Sequence, residues 1–303
     1  MKKRGTAAIL AAMLLLSGCA LPGLGGPSDS TIRIGTLDTV ESEVWGNIIA
    51  QMIEHHTDLE TELITNLGSS IVQHQAMMND EVDITSTRYT GTDLAGVLDI
   101  EGVTDTDKAM EIVQEEFDKQ FNQTWGESYG FENSYTVSLP ETFAKEHDIQ
   151  HVNDLEPFAE EMNFGVDNAW INREGDGYEA FAETHFPFGD VYPMAIGLVY
   201  DAAANGDMDA VLGYSSDGRI AAYDLTVLED EFFPPYDASP VIQNEVIEEH
   251  PKLEAILDSL AGTVSTEDMQ VMNYQGDVNL VNPSHIAEQF LEEKNYFEQE
   301  VNE

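Results

Sequence analysis

Four tyrosines define the chemistry open to this sequence. Tyr89 lies in Thr87-Arg88-Tyr89-Thr90-Gly91-Thr92, Tyr135 in Asn133-Ser134-Tyr135, Tyr214 in Gly213-Tyr214-Ser215-Ser216-Asp217-Gly218 and Tyr236 in Pro234-Pro235-Tyr236. Each segment is short and turn-rich, and ligands of α/β proteins collect at such junctions, so we expect the four rings to converge on one cation. A ring face attracts a cation by about 0.5–2 kcal/mol depending on desolvation, so four rings supply most of a micromolar affinity before ordering costs.

Other constellations are weaker. Gly213-Tyr214-Ser215-Ser216-Asp217 approaches the Gly-x-Ser-x-Gly elbow of a serine hydrolase, but its fifth residue is Asp and no His is clearly paired with Ser215. That hydrolase is the alternative from another class. His55-His56 and His74 lack metal-ligand spacing, and Gly175-Asp176-Gly177 lacks the alternating oxygen ligands of a calcium loop. Neither metal nor cofactor nor catalytic activity is expected.

The rings need elements to hold them. Thr31-Ile32-Arg33-Ile34-Gly35 alternates as a strand, and Val44, Ile48, Ile49, Met52 and Ile53 recur at helical spacing behind it. Residues 62–65 repeat the strand, and Gly68-Ser69-Ser70 offers capping hydroxyls to a helix bearing Ile71, Val72, Gln75 and Met78. Val82-Asp83-Ile84-Thr85 is the strand before Tyr89, and Asp93-Leu94-Ala95 begins the helix after it. Ala109, Ile112, Val113, Glu116 and Phe117 mark an amphipathic helix, followed by a polar loop around Trp125-Gly126. From Tyr135 the alternation resumes, with strands over 135–139, 164–166 and 208–214 and helices over 177–184 and 196–204. Residues 225–228 lead back to the first unit, which 238–242 rejoin, and amphipathic segments at 253–260 and 286–290 cap it. This order predicts an α/β protein of two lobes joined by two crossings, 31–136 plus 235–303 forming lobe I and 137–234 lobe II.

Charge narrows the partners. Against 58 acidic residues stand 12 Lys and Arg, a net −46 that becomes −49 without Lys2, Lys3 and Arg4. A field of that sign repels nucleic acid and anionic lipid. Its even spread along the chain suits a globule adapted to high salt, where screening makes self-repulsion tolerable. The lone Cys19 excludes an internal disulfide. Lys2-Lys3-Arg4, the apolar run 7–16 and Leu16-Ser17-Gly18-Cys19 resemble a bacterial lipoprotein signal. Residues 1–18 are thus expected to be removed, Cys19 to be lipidated, and 19–30 to be a flexible linker tethering the protein outside the cytoplasmic membrane.

Five stretches carry a likeness to a known family: Asn66-Leu67-Gly68-Ser69-Ser70-Ile71-Val72-Gln73, Arg88-Tyr89-Thr90-Gly91-Thr92, Tyr192-Pro193-Met194-Ala195-Ile196-Gly197-Leu198-Val199-Tyr200, Ser216-Asp217-Gly218-Arg219-Ile220 and Phe232-Phe233-Pro234-Pro235-Tyr236. In this order they resemble the glycine betaine/carnitine/choline-binding lipoproteins of osmoprotectant ABC importers, over about 31–297. The resemblance implies a type II periplasmic-binding-protein-like fold, a hinge of two crossover strands, and a monomer that closes on a quaternary ammonium solute. It further implies docking on a membrane permease driven by a cytoplasmic ATPase. The family's aromatic cage falls on Tyr89, Tyr135, Tyr214 and Tyr236. A trimethylammonium head donates no conventional N–H hydrogen bond, so ring faces suit it, and neutral rings avoid repelling a betaine's carboxylate.

For that carboxylate, Thr92 and Asn133 are the candidate donors, since hydroxyl and amide donate without burying a charge. The family commonly has Gln where Leu37 stands, and Thr36 or Asp38 could substitute. Asp167-Asn168 and Asp217 also match family-like stretches, but a capping role explains them better. The alternatives within binding proteins are a choline-selective receptor, expected to carry an acid near Thr92, and a surface sensor feeding no importer.

Overall fold

The structure, a computed structural model, describes residues 31–168, 170–173, 176–299 and 301. The expected signal peptide, linker and Cys19 lie outside the described residues.

Lobe I is built on a five-stranded sheet. β1 (Thr31–Gly35) is followed by α1 (Val40–His56), β2 (Glu60–Ile64), α2 (Ser70–Met78), β3 (Ile84–Tyr89), α3 (Thr90–Gly96), α4 (Thr106–Phe121) and β4 (Gln123–Trp125). β1 pairs parallel to β2 and β3. Hydroxyl caps start the helices: Thr39 accepts from the Ser42 N–H and opens α1, and Ser69 accepts from the Val72 N–H and opens α2. The apolar face of α1 (Val44, Trp45, Ile48, Ile49, Met52, Ile53) is then buried among lobe I's core side chains.

The chain next crosses to a second five-stranded sheet. It contains β5 (Tyr135–Pro140), α5 (Glu141–His147), α6 (Glu156–Ala159), β6 (Asn163–Asp167), α7 (Tyr178–Thr184), β7 (Asp190–Met194), α8 (Ile196–Ala204), β8 (Ala210–Tyr214), α9 (Arg219–Ala222) and β9 (Leu225–Val227). It returns as β10 (Ala238–Gln243), which pairs antiparallel with both β3 and β4, and closes with α10 (Asn244–Glu249), α11 (Lys252–Asp258), α12 (Thr266–Asp277) and α13 (Pro283–Glu293). The sheet orders are β2-β1-β3-β10-β4 and β7-β6-β8-β5-β9. The chain therefore crosses from β4 to β5 and back from β9 to β10, the two-lobed type II arrangement expected.

Three expectations need correction. The loop expected around Trp125 contains β4, whose Trp125 is buried beside Phe117 and pairs with Val241. β7 was not anticipated, because Pro193 breaks a strand pattern and is tolerated here only on an edge strand. α12 also went unread, its buried positions being Met269, Gln270, Met272, Asn273 and Gly276 rather than an aliphatic stripe.

The crossings pair with each other. Glu132 and Asp237 form an antiparallel bridge, and the Asn133 N–H donates to the Tyr236 carbonyl at 3.1 Å. A second tie runs from α12 to lobe II: Gln270 donates to the Ser215 carbonyl at 2.7 Å and Asn273 to the Ser216 carbonyl at 2.9 Å.

Candidate functional site

All four tyrosines stand at strand ends or turns. Tyr89 ends β3, Tyr135 opens β5, Tyr214 ends β8 and Tyr236 lies just before β10. Tyr135 and Tyr214 are directly opposed in the antiparallel ladder, so their rings are neighbours, with centroids 5.2 Å apart. Trp170 and Phe233 flank Tyr135 at 6.4 and 6.0 Å.

The Tyr89 and Tyr236 loops are bonded to one another. Thr90 Oγ1 donates to the Pro235 carbonyl at 2.9 Å, and the Gly91 N–H donates to the same oxygen at 2.9 Å. A Cβ at Gly91 would stand 2.6 Å from that oxygen and 3.2 Å from the Tyr236 ring, so only glycine permits this approach. Arg88, on the other face of β3, is fully buried against Asp93 and under Phe117 and Trp125. It fixes the turn and takes no part in the cleft.

A guanidinium stands among the rings. Arg173 lies 5.4 Å over the Tyr135 ring and donates to the Tyr236 hydroxyl at 3.3 Å, while Asp176 accepts from its Nε at 2.8 Å and its Nη2 at 2.7 Å. These bonds to Asp176 come first in raising the Arg173 pKa, so it stays cationic. Tyr135 and Tyr236 thus meet at one positive charge, with Tyr214 beside Tyr135.

Tyr89 is tied to the first crossing through the polar groups beside it. Its hydroxyl donates to Glu41 Oε1 at 2.5 Å, and the Asn133 amide donates to the same oxygen at 3.0 Å. Burial is the first cause raising the phenol pKa of all four tyrosines, so the rings remain neutral.

The polar residues named from sequence fare differently. Thr92 is half-buried in the first turn of α3, and its hydroxyl has no protein partner among the described residues. The Asn133 amide is already committed to Glu41. Leu37 packs against the lobe I core, Thr36 is fully buried behind it and Asp38 is exposed. Asp167 caps no helix through its side chain: its buried carboxylate accepts from the Tyr214 hydroxyl at 3.5 Å. Asp217 holds Arg219 through its Nε at 2.8 Å.

Ser215 is not poised as a nucleophile. Its Oγ accepts from the Ser134 N–H at 3.0 Å and donates to the Glu132 carbonyl at 3.1 Å, which fastens β8 to the first crossing. Among the described residues no group of three or more His, Cys, Asp or Glu could hold a metal ion. A cavity of about 670 Å³ opens beside the crossings, reaching Ser134, Tyr135 and Phe233 and bordered by Glu132, Glu229 and Glu231.

Sequence reasoning missed Glu41, Arg173 and Asp176. One signal existed for Glu41, an acid in the first turn of α1 two residues after its Thr39 cap, but helix-end electrostatics explains such an acid equally well.

Comparisons with known proteins agree on one class. The family described as the substrate binding domain of ABC-type glycine betaine transport systems matches residues 30–293. The Carnitine transport binding protein OpuCC of Listeria monocytogenes is 49% identical over 293 residues, covering 96% of this chain and 95% of that protein. The crystal structure of a glycine betaine/carnitine/choline ABC transporter superposes with a TM-score of 0.85 at 44% identity, over 88% of this chain and 99% of that one. The ergothioneine transport permease/ergothioneine binding protein EgtU of Helicobacter pylori is 27% identical over 94% of this chain, which spans 51% of that longer protein.

Proposed function

The chain belongs to the substrate-binding domains of ABC-type glycine betaine transport systems, and on that premise we propose that it captures a trimethylammonium solute between its lobes through Tyr89, Tyr135, Tyr214 and Tyr236. One observation carries this reading: Tyr135 and Tyr236, from the two lobes, already meet a cation, the guanidinium of Arg173, and the Tyr214 ring neighbours that of Tyr135. Neutral phenols offer electron-rich faces and no nucleophile, so the site binds and does no covalent chemistry.

For the carboxylate of a betaine or of carnitine, the available donors are the Thr92 hydroxyl and the Arg173 guanidinium; Asn133 could serve only by leaving Glu41. Ligand that touches rings of both lobes favours the closed arrangement by its differential affinity for it. Closure then presents the loaded protein to a membrane permease, a partner that the similarity to a combined permease and binding protein supports. Among the described residues no helix is long and apolar enough to cross a membrane, and lipidation at Cys19 would supply the tether.

Calorimetric titration of residues 31–303 in molar salt with glycine betaine, carnitine and choline tests the reading. We expect saturable one-site binding of at least one of them. Folded protein that is silent to all three would overturn it.

A further inference from the structure

Three of the four cage phenols point their hydroxyls at carboxylates. Tyr89 donates to Glu41 at 2.5 Å, Tyr236 to Asp176 at 3.4 Å and Tyr214 to Asp167 at 3.5 Å. Asp176 is neutralised by the two hydrogen bonds from Arg173. Glu41 is not. It is 3% exposed and among the described residues takes only neutral donors: Tyr89, the Asn133 amide at 3.0 Å and the Asn273 amide at 3.0 Å.

Among the described residues, further charge around Glu41 adds no counter-ion. Arg219 is held by both oxygens of Asp217, and Asp277 has its pKa raised by burial first, with Asp217 and Glu41 adding to the shift. A carboxylate buried without a counter-ion is costly unless another cation offsets it.

We infer that the missing counter-ion is the ligand's own ammonium group, and that Glu41, acting through Tyr89, sets the cleft's preference between net-positive and zwitterionic trimethylammonium solutes. The inference rests on the cage reading above. The hydroxyl-to-carboxylate bond draws negative charge towards the Tyr89 ring, which strengthens its attraction for a cation on its face. The field of Glu41 attracts the ammonium of either kind of solute but repels the carboxylate of a betaine. The two effects partly cancel for the zwitterion, whereas choline, which has no carboxylate, feels the attraction alone. An acid placed this way does the work expected of one beside Thr92. Glu41 is a positioning and specificity residue and need not touch the solute.

The test is a selectivity ratio. Glu41→Gln keeps the shape, and the neighbouring groups can adapt: Asn273 still donates to the retained oxygen, and the Asn133 carbonyl oxygen, which now has no partner, can turn to accept from the new amide. We expect choline affinity, measured by calorimetry, to fall at least tenfold, about 1.4 kcal/mol. Glycine betaine should lose less than about threefold on the same scale. Tyr89→Phe, which keeps the ring and removes the hydrogen bond, should shift the ratio the same way by a smaller factor and serves if Glu41→Gln does not fold. Equal losses for both solutes would mean a merely structural role and overturn the inference, as would unchanged affinities. Wild-type protein that binds neither solute would overturn the cage reading itself.

Discussion

At the scale of single residues, the proposed cage rests on the faces of the four tyrosines, to which Tyr89 adds its hydroxyl bond to Glu41. Removing a face should therefore cost affinity and leave the fold intact. Tyr89→Ala and Tyr236→Ala are each expected to weaken solute binding tenfold or more, at least about 1.4 kcal/mol, with the far-UV spectrum unchanged. Wild-type affinity in both variants, measured by titration, would remove the cage from consideration. The strand-end positions of these tyrosines were legible in the sequence because turn-rich segments announce strand ends. Glu41, Arg173 and Asp176 were not. Among 58 acids no spacing singles out the one that meets a tyrosine 48 residues away, and Arg173 reaches Tyr236 across 63 residues. Such pairings are made by the fold, and only the helix-start position of Glu41 hinted at anything.

Between elements, legibility followed length and periodicity. α1 and α8 could be read from apolar spacing and α2 from its hydroxyl cap, whereas the three-residue β4 and the proline-bearing β7 carry too little alternation to stand out. His74 shows a contact between elements that spacing alone could not reveal. Its ring lies edge-on to Phe117 and Phe121 at 5.7 and 4.5 Å and pins α2 to α4. Burial first, and Arg88 second, lower its pKa to about 4. The folded state thus disfavours the imidazolium that the unfolded chain readily forms. Stability from this group is complete above the unfolded value near 6.5 and is lost as pH falls from there to about 4. Because the ring is only about half removed from water, the loss should be on the order of 1 kcal/mol. In thermal melts at pH 7.5 and 5.0, His74→Phe should lose less Tm between the two than wild type. An identical pH response would sink this account.

Over the whole molecule, charge and topology act together. A net −46 favours expansion unless salt screens it, so Tm should climb steadily between about 0.1 and 2 M salt, where the screening length falls below that of a side chain. Melts indifferent to salt would argue against adaptation to brine. Against that acidic background four stretches of ten residues or more past residue 30 contain no Asp or Glu: 44–53 in α1, 278–287 leading into α13, and 63–79 and 191–200. The last two include the exposed Ile71 (47%) and Val72 (42%) of α2 and the exposed Leu198 (56%) of α8. These helices start beyond the C-terminal ends of β2 and β7, on the same sheet edges at which Tyr89 ends β3 and Tyr214 ends β8. β2 and β7 are the edge strands farthest from the crossings in their respective sheets. These two stretches therefore lie on the cleft side of each lobe, away from the hinge, where closure brings the lobes towards each other. Interface centres are depleted of charge, and apolar contact does not weaken as salt rises, so a permease that recognises the loaded state would meet the protein here. The double variant Ile71→Asp with Leu198→Asp should bind solute with wild-type affinity in calorimetry yet lower uptake of radiolabelled solute at least tenfold in cells whose importer depends on this chain. Unimpaired uptake would place the permease contact elsewhere on the molecule.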